Sequence, residues 1–250
     1  MILLCNDKER VQGFLADFKG SACVRSIIEL YLRSYGTAYD FAQFYIQFSD
    51  VTNTDTALVF RYNQTVYCVA DHGCDFSELS FFLSGFIDVS LICDSSLQNF
   101  LPFADNMKKG AVMSRAGSPL SVHNENITVI NEPKSVCNLV SENMPEYKKT
   151  DFFLNTSHQM RHGCLSVFAY MQNSDPVSVA SVFYGSNNTA VIPFVYTGEY
   201  FRGNGYSSQV LSHLCSDPDF TYQLLCEEHN IKFYEKCGFT HTADWVEYCL

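Results

Sequence analysis

The spacing of apolar positions changes along the chain, and each change predicts an element. Residues 7–18 and 22–34 predict two helices. Two short runs rich in β-branched and aromatic residues follow, Ala57-Leu58-Val59-Phe60-Arg61-Tyr62 and Thr65-Val66-Tyr67-Cys68-Val69-Ala70. They predict strands, with Asn53-Thr54-Asp55 and Asn63-Gln64 as turns. A helix is expected over 76–83 and a strand over 87–93. Asp105-Asn106-Met107-Lys108-Lys109-Gly110 and Arg115-Ala116-Gly117-Ser118-Pro119 then interrupt the apolar pattern and predict a linker or crossover at 105–125. Beyond it, Ile127-Thr128-Val129-Ile130 reads as a strand, Pro133 suits the first turn of a helix, and a further helix is expected over 149–161. Strands are expected at 164–171, 177–184 and 189–197.

The last of these strands is the most informative. It leads through Gly198-Glu199-Tyr200-Phe201 into Arg202-Gly203-Asn204-Gly205-Tyr206-Ser207. Apolar residues at 210, 211 and 214 then mark one face of a helix. Two glycines therefore stand at a helix N-terminus. Backbone N–H groups there lack intrahelical partners and lie at the positive end of the helix dipole, so the loop is expected to take an anion such as phosphate. Downstream, Asn230-Ile231-Lys232-Phe233-Tyr234-Glu235-Lys236-Cys237-Gly238-Phe239 predicts a short helix closed by glycine, followed by a strand from Phe239 to Thr242.

Together these two blocks resemble the GNAT N-acetyltransferases. Arg202-x-x-Gly205 after Val195-x-Thr197 resembles the family's acyl-CoA pyrophosphate loop, although it ends Gly205-Tyr206-Ser207 where the family has a glycine or alanine. Tyr234-Glu235-Lys236-Cys237-Gly238-Phe239 resembles its C-terminal Tyr-x-x-x-Gly-Phe element. Asn230 stands nearer to the tyrosine than the family's asparagine does. The resemblance covers 125–250 and implies an α/β (α+β) fold, a mixed central sheet flanked by helices, with an additional N-terminal α/β domain over 1–115. The N-terminal half repeats the pattern faintly. Where a phosphate loop would lie, it has Asp71-His72-Gly73-Cys74-Asp75, whose carboxylates would repel phosphate. Two readings stand for that half: a degenerate acetyltransferase-like domain without cofactor, or an unrelated α/β cap shaping the acceptor pocket.

The resemblance also implies a chemistry. Acetyl-CoA is the expected co-substrate, with its pyrophosphate on the N–H groups of Gly203, Asn204, Gly205, Tyr206 and Ser207 and with Arg202 adding charge. Val195, Tyr196 and Thr197 would hydrogen-bond the pantetheine arm, Asn230 would contact the donor, and Tyr234 would give a proton to the departing thiol as the amine attacks. No general base is assigned: Glu199, Glu227 and Glu228 are the nearest carboxylates in sequence, and none lies on the 189–197 strand. The other class consistent with these features is a non-catalytic protein that keeps the fold to bind acyl-CoA or a partner.

Composition narrows the partners. The 250 residues are 47% hydrophobic and carry a formal charge of −11, with Lys108-Lys109 and Lys148-Lys149 as the local lysine pairs, so no nucleic-acid surface is expected. The acidic balance suits a cationic small-molecule amine or a peptide acceptor; a homodimer is compatible with it. The eleven cysteines form no C-x-x-C pair and sit mostly in apolar runs, which fits a reducing compartment. The start of the chain reaches charge too soon for a signal peptide, and no run is long enough for a membrane span, so a cytoplasmic location is expected. His158-Gln159-Met160-Arg161-His162 spaces two histidines as zinc ligands are spaced, but Gln159 stands where a zinc protease has glutamate, and no metal is expected.

Overall fold

The computed structural model of the protein describes residues 1–103, 107–120, 124–142 and 144–250, and of Tyr147 only the backbone. The chain begins with β1 (Ile2–Leu4), α1 (Lys8–Asp17), α2 (Ala22–Tyr35), β2 (Ala42–Ser49), β3 (Thr54–Tyr62), β4 (Thr65–Ala70), α3 (Phe76–Leu83) and β5 (Ser90–Asp94). It continues with β6 (Met107–Ala116), β7 (Ile127–Ile130), α4 (Pro133–Val140), α5 (Glu146–Arg161), β8 (Ser166–Gln172) and β9 (Asp175–Tyr184). The last third holds β10 (Thr189–Val191), β11 (Val195–Thr197), α6 (Tyr206–Leu214), β12 (Thr221–Glu227), α7 (Ile231–Lys236) and β13 (Thr240–Cys249). These elements fall into two compact units, one of 1–113 with 225–232 and 241–250, the other of 114–224 with 233–240.

In the first unit the strand order is β1-β2-β3-β4-β5-β13, with β4 and β5 parallel and the other neighbours antiparallel. Successive side chains on a strand face opposite ways, and β3 shows the consequence. Leu58 and Phe60 join Val11, Phe14, Val24 and Ile28 of α1 and α2 in one core, while Ala57 and Val59 join Leu79 and Leu83 of α3 in the other. Helices thus cover both faces of the sheet, and each fully buried Leu or Phe in these layers contributes about 2 kcal/mol.

In the second unit β7, β8, β9 and β10 are antiparallel neighbours, and β10 pairs parallel with β12. Here the structure corrects the single strand expected over 189–197. Val191 pairs with Phe183 and Val195 with Ala180, so three residues, Ile192–Phe194, face two on β9. The extra residue makes a bulge. Pro193 has no N–H to donate into a ladder, which is why the strand breaks there. Before the break Ile192 N–H still reaches Gln223 O at 2.8 Å; after it, β11 pairs with β9 alone among the described residues.

Other differences are local. Met107–Ala116, inside the expected linker, is a ten-residue strand; Asp105 and Asn106 lie outside the described residues. β2 lies between the second helix and the first predicted strand, its buried Phe44 and Ile46 alternating with Gln43 and Tyr45. β13 runs to Cys249 rather than ending at Thr242 and pairs with β5.

Candidate functional site

The bulge is fastened by two buried serines of β9. Ser181 N–H donates to Phe194 O at 3.0 Å, while Phe194 N–H donates to Ser181 Oγ at 3.2 Å. Ser178 Oγ lies 3.3 Å from Tyr196 O and 2.8 Å from Thr197 Oγ1. Gly198 N–H donates to Val177 O. Phe194, Tyr196 and Gly198 therefore spend their backbone groups on β9, and strand alternation turns those of Val195 and Thr197 toward the opposite edge. At that edge Arg202 Nε donates to Thr197 O at 3.3 Å, and the guanidinium lies over the Tyr196 ring.

The glycine loop follows directly. Gly203 and Gly205 have φ of +80° and +76°, in the left-handed region where a Cβ is unfavourable, and a Cβ built on either would meet no protein atom within 4 Å. Space thus lies open over both backbones. Gly205 caps α6, whose first intrahelical bond runs from Gln209 N–H to Gly205 O, so the N–H groups of Tyr206, Ser207 and Ser208 have no acceptor inside the helix. Asn204 bonds Phe201 O and Arg202 O through Nδ2, at 3.1 and 3.3 Å. Its side chain braces the loop and leaves the backbone as the ligand-facing part. Tyr206 packs on Tyr170, with ring centroids 4.4 Å apart.

Tyr234 lies on α7 and is half-buried, its ring edge-on to Phe239 at 5.8 Å. Phe239 N–H donates to Tyr234 O, and Gly238, at φ +83°, makes the turn between them. Arg115 supports this turn: its Nη1 donates to Cys237 O at 2.8 Å, and its Nε would lie 3.7 Å from a Cβ on residue 238. Cys237 Sγ bonds Ser208 Oγ at 3.4 Å, tying the turn to the first turn of α6; burial pushes its thiol pKa up, against the opposing Ser208 bond and Arg115 charge. Asn230 closes a 3-10 turn, Glu228–Asn230, and belongs to the first compact unit, unlike the loop and Tyr234.

Beside the loop is a cavity of about 310 Å³, lined by Asn138, Leu139 and Glu142 from α4 and its end and by Gly198, Glu199 and Phe201. Glu142 and Glu199 bring negative charge to it. Glu227 pairs instead with His229 at 3.3 Å.

The first unit answers the same positions differently. Asp75 caps α3, its Oδ1 accepting from Ser77 N–H and Glu78 N–H at 3.0 Å each. The helix end that would face a phosphate already holds a carboxylate of the chain itself. His158 and His162 lie with ring centroids 4.2 Å apart and planes tilted by 39°, and among the described residues no group of three or more His, Cys, Asp or Glu is placed to hold a metal. No described helix is long and apolar enough to cross a membrane.

Sequence reasoning missed Ser178, Ser181 and Arg115. The serines' signal was their place opposite the predicted strand; Arg115 was hidden in the apparent linker.

The model of the acetyltransferase (GNAT) family matches residues 134–239. No curated protein matches the chain in sequence. Among solved structures, a GNAT-family acetyltransferase from Colwellia psychrerythraea is similar, with 11% identity, 99% of this chain and 98% of that one covered, and a TM-score of 0.62. A tandem GNAT protein from the clavulanic acid biosynthesis pathway covers 99% of this chain and 97% of its own, at 13% identity and TM-score 0.61. A putative acetyltransferase from Pyrococcus horikoshii covers 100% and 89%, at 13% and 0.59. These likenesses extend the fold over the N-terminal half as well. Over residues 134–239 the chain carries the sequence of the acetyltransferase (GNAT) family.

Proposed function

We propose that the protein is an N-acetyltransferase that moves an acetyl group from acetyl-CoA to an amine. The observation that carries this reading is the pairing of a β11 edge at Val195 and Thr197 that no other strand covers among the described residues with an open glycine loop at a helix N-terminus without a side-chain cap. A ligand that combines an amide-bearing arm with a pyrophosphate suits both. Gly203 to Ser207 would hold the pyrophosphate through N–H groups, with Arg202 supplying charge. The edge groups of Val195 and Thr197 would align the arm. The donor brings an acyl group already activated as a thioester.

The chain then has three tasks. The β11 edge orients the reacting carbonyl, and an N–H there offsets the negative charge that grows on its oxygen. The Tyr234 hydroxyl gives a proton to the leaving sulfur. The cavity beside the loop, with Glu142 and Glu199 in its wall, favours a cationic amine or a basic peptide. The first unit is read as a degenerate acetyltransferase-like domain without donor, because Asp75 occupies its α3 end. A reducing, cytoplasmic setting suits the eleven free thiols.

The test is acetyl-CoA-dependent thiol release with a panel of amines. Turnover with at least one amine, lowered in Tyr234→Phe while CoA affinity holds, supports the assignment. CoA binding without turnover on any amine or basic peptide favours the non-catalytic alternative.

A further inference from the structure

The helix that carries Tyr234, α7, has six residues, too few to hold its own register, so its placement depends on ties at its end. That end is a Schellman turn. Phe239 N–H donates to Tyr234 O and Gly238 N–H to Glu235 O, both at 3.0 Å, with Gly238 in the left-handed region at φ +83°. The edge-on rings of Tyr234 and Phe239 make the apolar contact that accompanies such a turn. The motif pairs the carbonyls of Tyr234 and Glu235 and leaves that of Cys237 over. Arg115 Nη1 donates to it at 2.8 Å, and the same side chain lies along Gly238, its Nε, Cδ and Cζ between 3.7 and 3.9 Å from where a Cβ would stand. A cation there also complements the negative end of the helix dipole.

Arg115 is itself held on both sides. Thr240 Oγ1 donates to Ser114 O at 3.2 Å, Gly117 N–H to Phe220 O at 2.9 Å, and Ser118 N–H to Cys215 O, at the end of α6, at 3.0 Å. From the turn the bonds run on through Cys237 Sγ to Ser208 Oγ, in the first turn of α6. Every residue in this series belongs to the second compact unit. One guanidinium therefore links the helix of Tyr234 to the helix that the glycine loop opens.

We propose that Arg115 is a positioning residue for acetyl transfer: by fixing the turn after α7 it holds the Tyr234 hydroxyl where it can protonate the leaving sulfur. This rests on the acetyltransferase reading above. In that step the amine nitrogen bonds the acetyl carbon and the carbon–sulfur bond breaks with its electron pair on sulfur. The sulfur takes the Tyr234 proton, and the proton lost by the amine replaces it through solvent. Arg115 gives up no proton and acts only through the turn. Without it Cys237 O loses its donor and the turn is free to shift, and a misplacement of about 1 Å can slow a reaction on the order of a hundredfold. The loop keeps its own brace, the Asn204 bonds to Phe201 O and Arg202 O, so donor binding should hold.

The test is a double-mutant cycle on the full chain, with Arg115→Met, Tyr234→Phe and the two combined, read by steady-state thiol release with one amine and by calorimetric titration with acetyl-CoA. Arg115→Met should lower kcat about tenfold to a hundredfold at nearly unchanged acetyl-CoA affinity. Added to Tyr234→Phe it should lower kcat hardly further, since no hydroxyl is left to aim. Arg115→Lys keeps the charge and a donor but not the planar fork; it should recover part of the rate, and it carries the cycle if Arg115→Met unfolds. Equal losses with and without Tyr234→Phe would make Arg115 a structural residue alone and overturn the proposal, as would an unchanged kcat or a loss confined to acetyl-CoA affinity. A wild type that binds acetyl-CoA and acetylates no amine, or an unchanged rate in Tyr234→Phe, would instead overturn the role of Tyr234 and this proposal with it.

Discussion

Gly205→Ala separates a backbone's conformational role from its role in ligand approach. At φ +76° an L-residue costs about 1–2 kcal/mol. A Cβ there meets nothing within 4 Å, so no steric cost adds to this in the free protein. For a chain of this size such a loss lowers Tm by roughly 2–8 °C. Gly163 provides the control: its φ is +67°, a Cβ there is equally unobstructed, and it lies in the same compact unit at the end of α5. Gly163→Ala should therefore cost the same stability. The two variants should differ in acetyl-CoA affinity, measured by calorimetric titration. A methyl group over the loop displaces a phosphate oxygen from at least one N–H bond, and a charged hydrogen bond contributes about 1.5–3 kcal/mol. The expected loss for Gly205→Ala is about tenfold to a hundredfold, and more for the β-branched Gly205→Val. Gly163→Ala should bind as the wild type does. Equal affinity in the Gly205 and Gly163 variants would refute the claim that the loop backbone touches the ligand.

Two further outcomes follow from the same groups. Tyr234→Phe should lower the turnover rate with little change in donor affinity, read by steady-state thiol release; an unchanged rate would remove the hydroxyl from the chemistry. Burial raises the Cys74, Cys93 and Cys215 thiols from 9.0 to about 12, so above pH 9 the unfolded chain loses protons that the folded chain keeps. Stability should fall as pH rises from 9 toward 12, seen as a declining Tm, and Cys93→Ala should flatten part of the decline; a Tm independent of pH over that window would contradict the burial of these thiols.

Local chemistry was legible in the sequence, and distant pairing was not. The glycine loop and the Tyr234 to Phe239 turn could be read because their glycines must adopt positive φ within a few residues of the motif. The helices from Lys8, Ala22 and Phe76 could be read because apolar spacing alone places their core faces. The bulge could not, since it depends on Ser178 and Ser181, set well before it in the chain, taking over bonds that a regular ladder would make. Pro193 was the one local sign. β6 was taken for a linker because Lys108, Lys109 and Gly110 break the apolar pattern, although Gly110 is required there: a Cβ would stand 2.3 Å from Cys226 O and 2.4 Å from the Trp245 ring nitrogen. α5 inverted its pattern, burying Thr156, Ser157 and Gln159 and exposing Phe153 and Leu154, so periodicity could place the helix but not its inner face. Asp75 reads in the sequence as a charge that repels phosphate, and its bonds to the first N–H groups of α3 emerge only in the fold.

The central claim is that the strand edge at Val195 and Thr197 and the loop from Gly203 to Ser207 hold an acyl-CoA. Calorimetric titration of the full chain with acetyl-CoA, beside adenosine diphosphate and desulfo-CoA, tests it most directly. The account predicts saturable binding in the micromolar range, weaker for adenosine diphosphate, which reaches the loop and not the strand. No heat with any of the three, in a sample whose unfolding is cooperative, would contradict it.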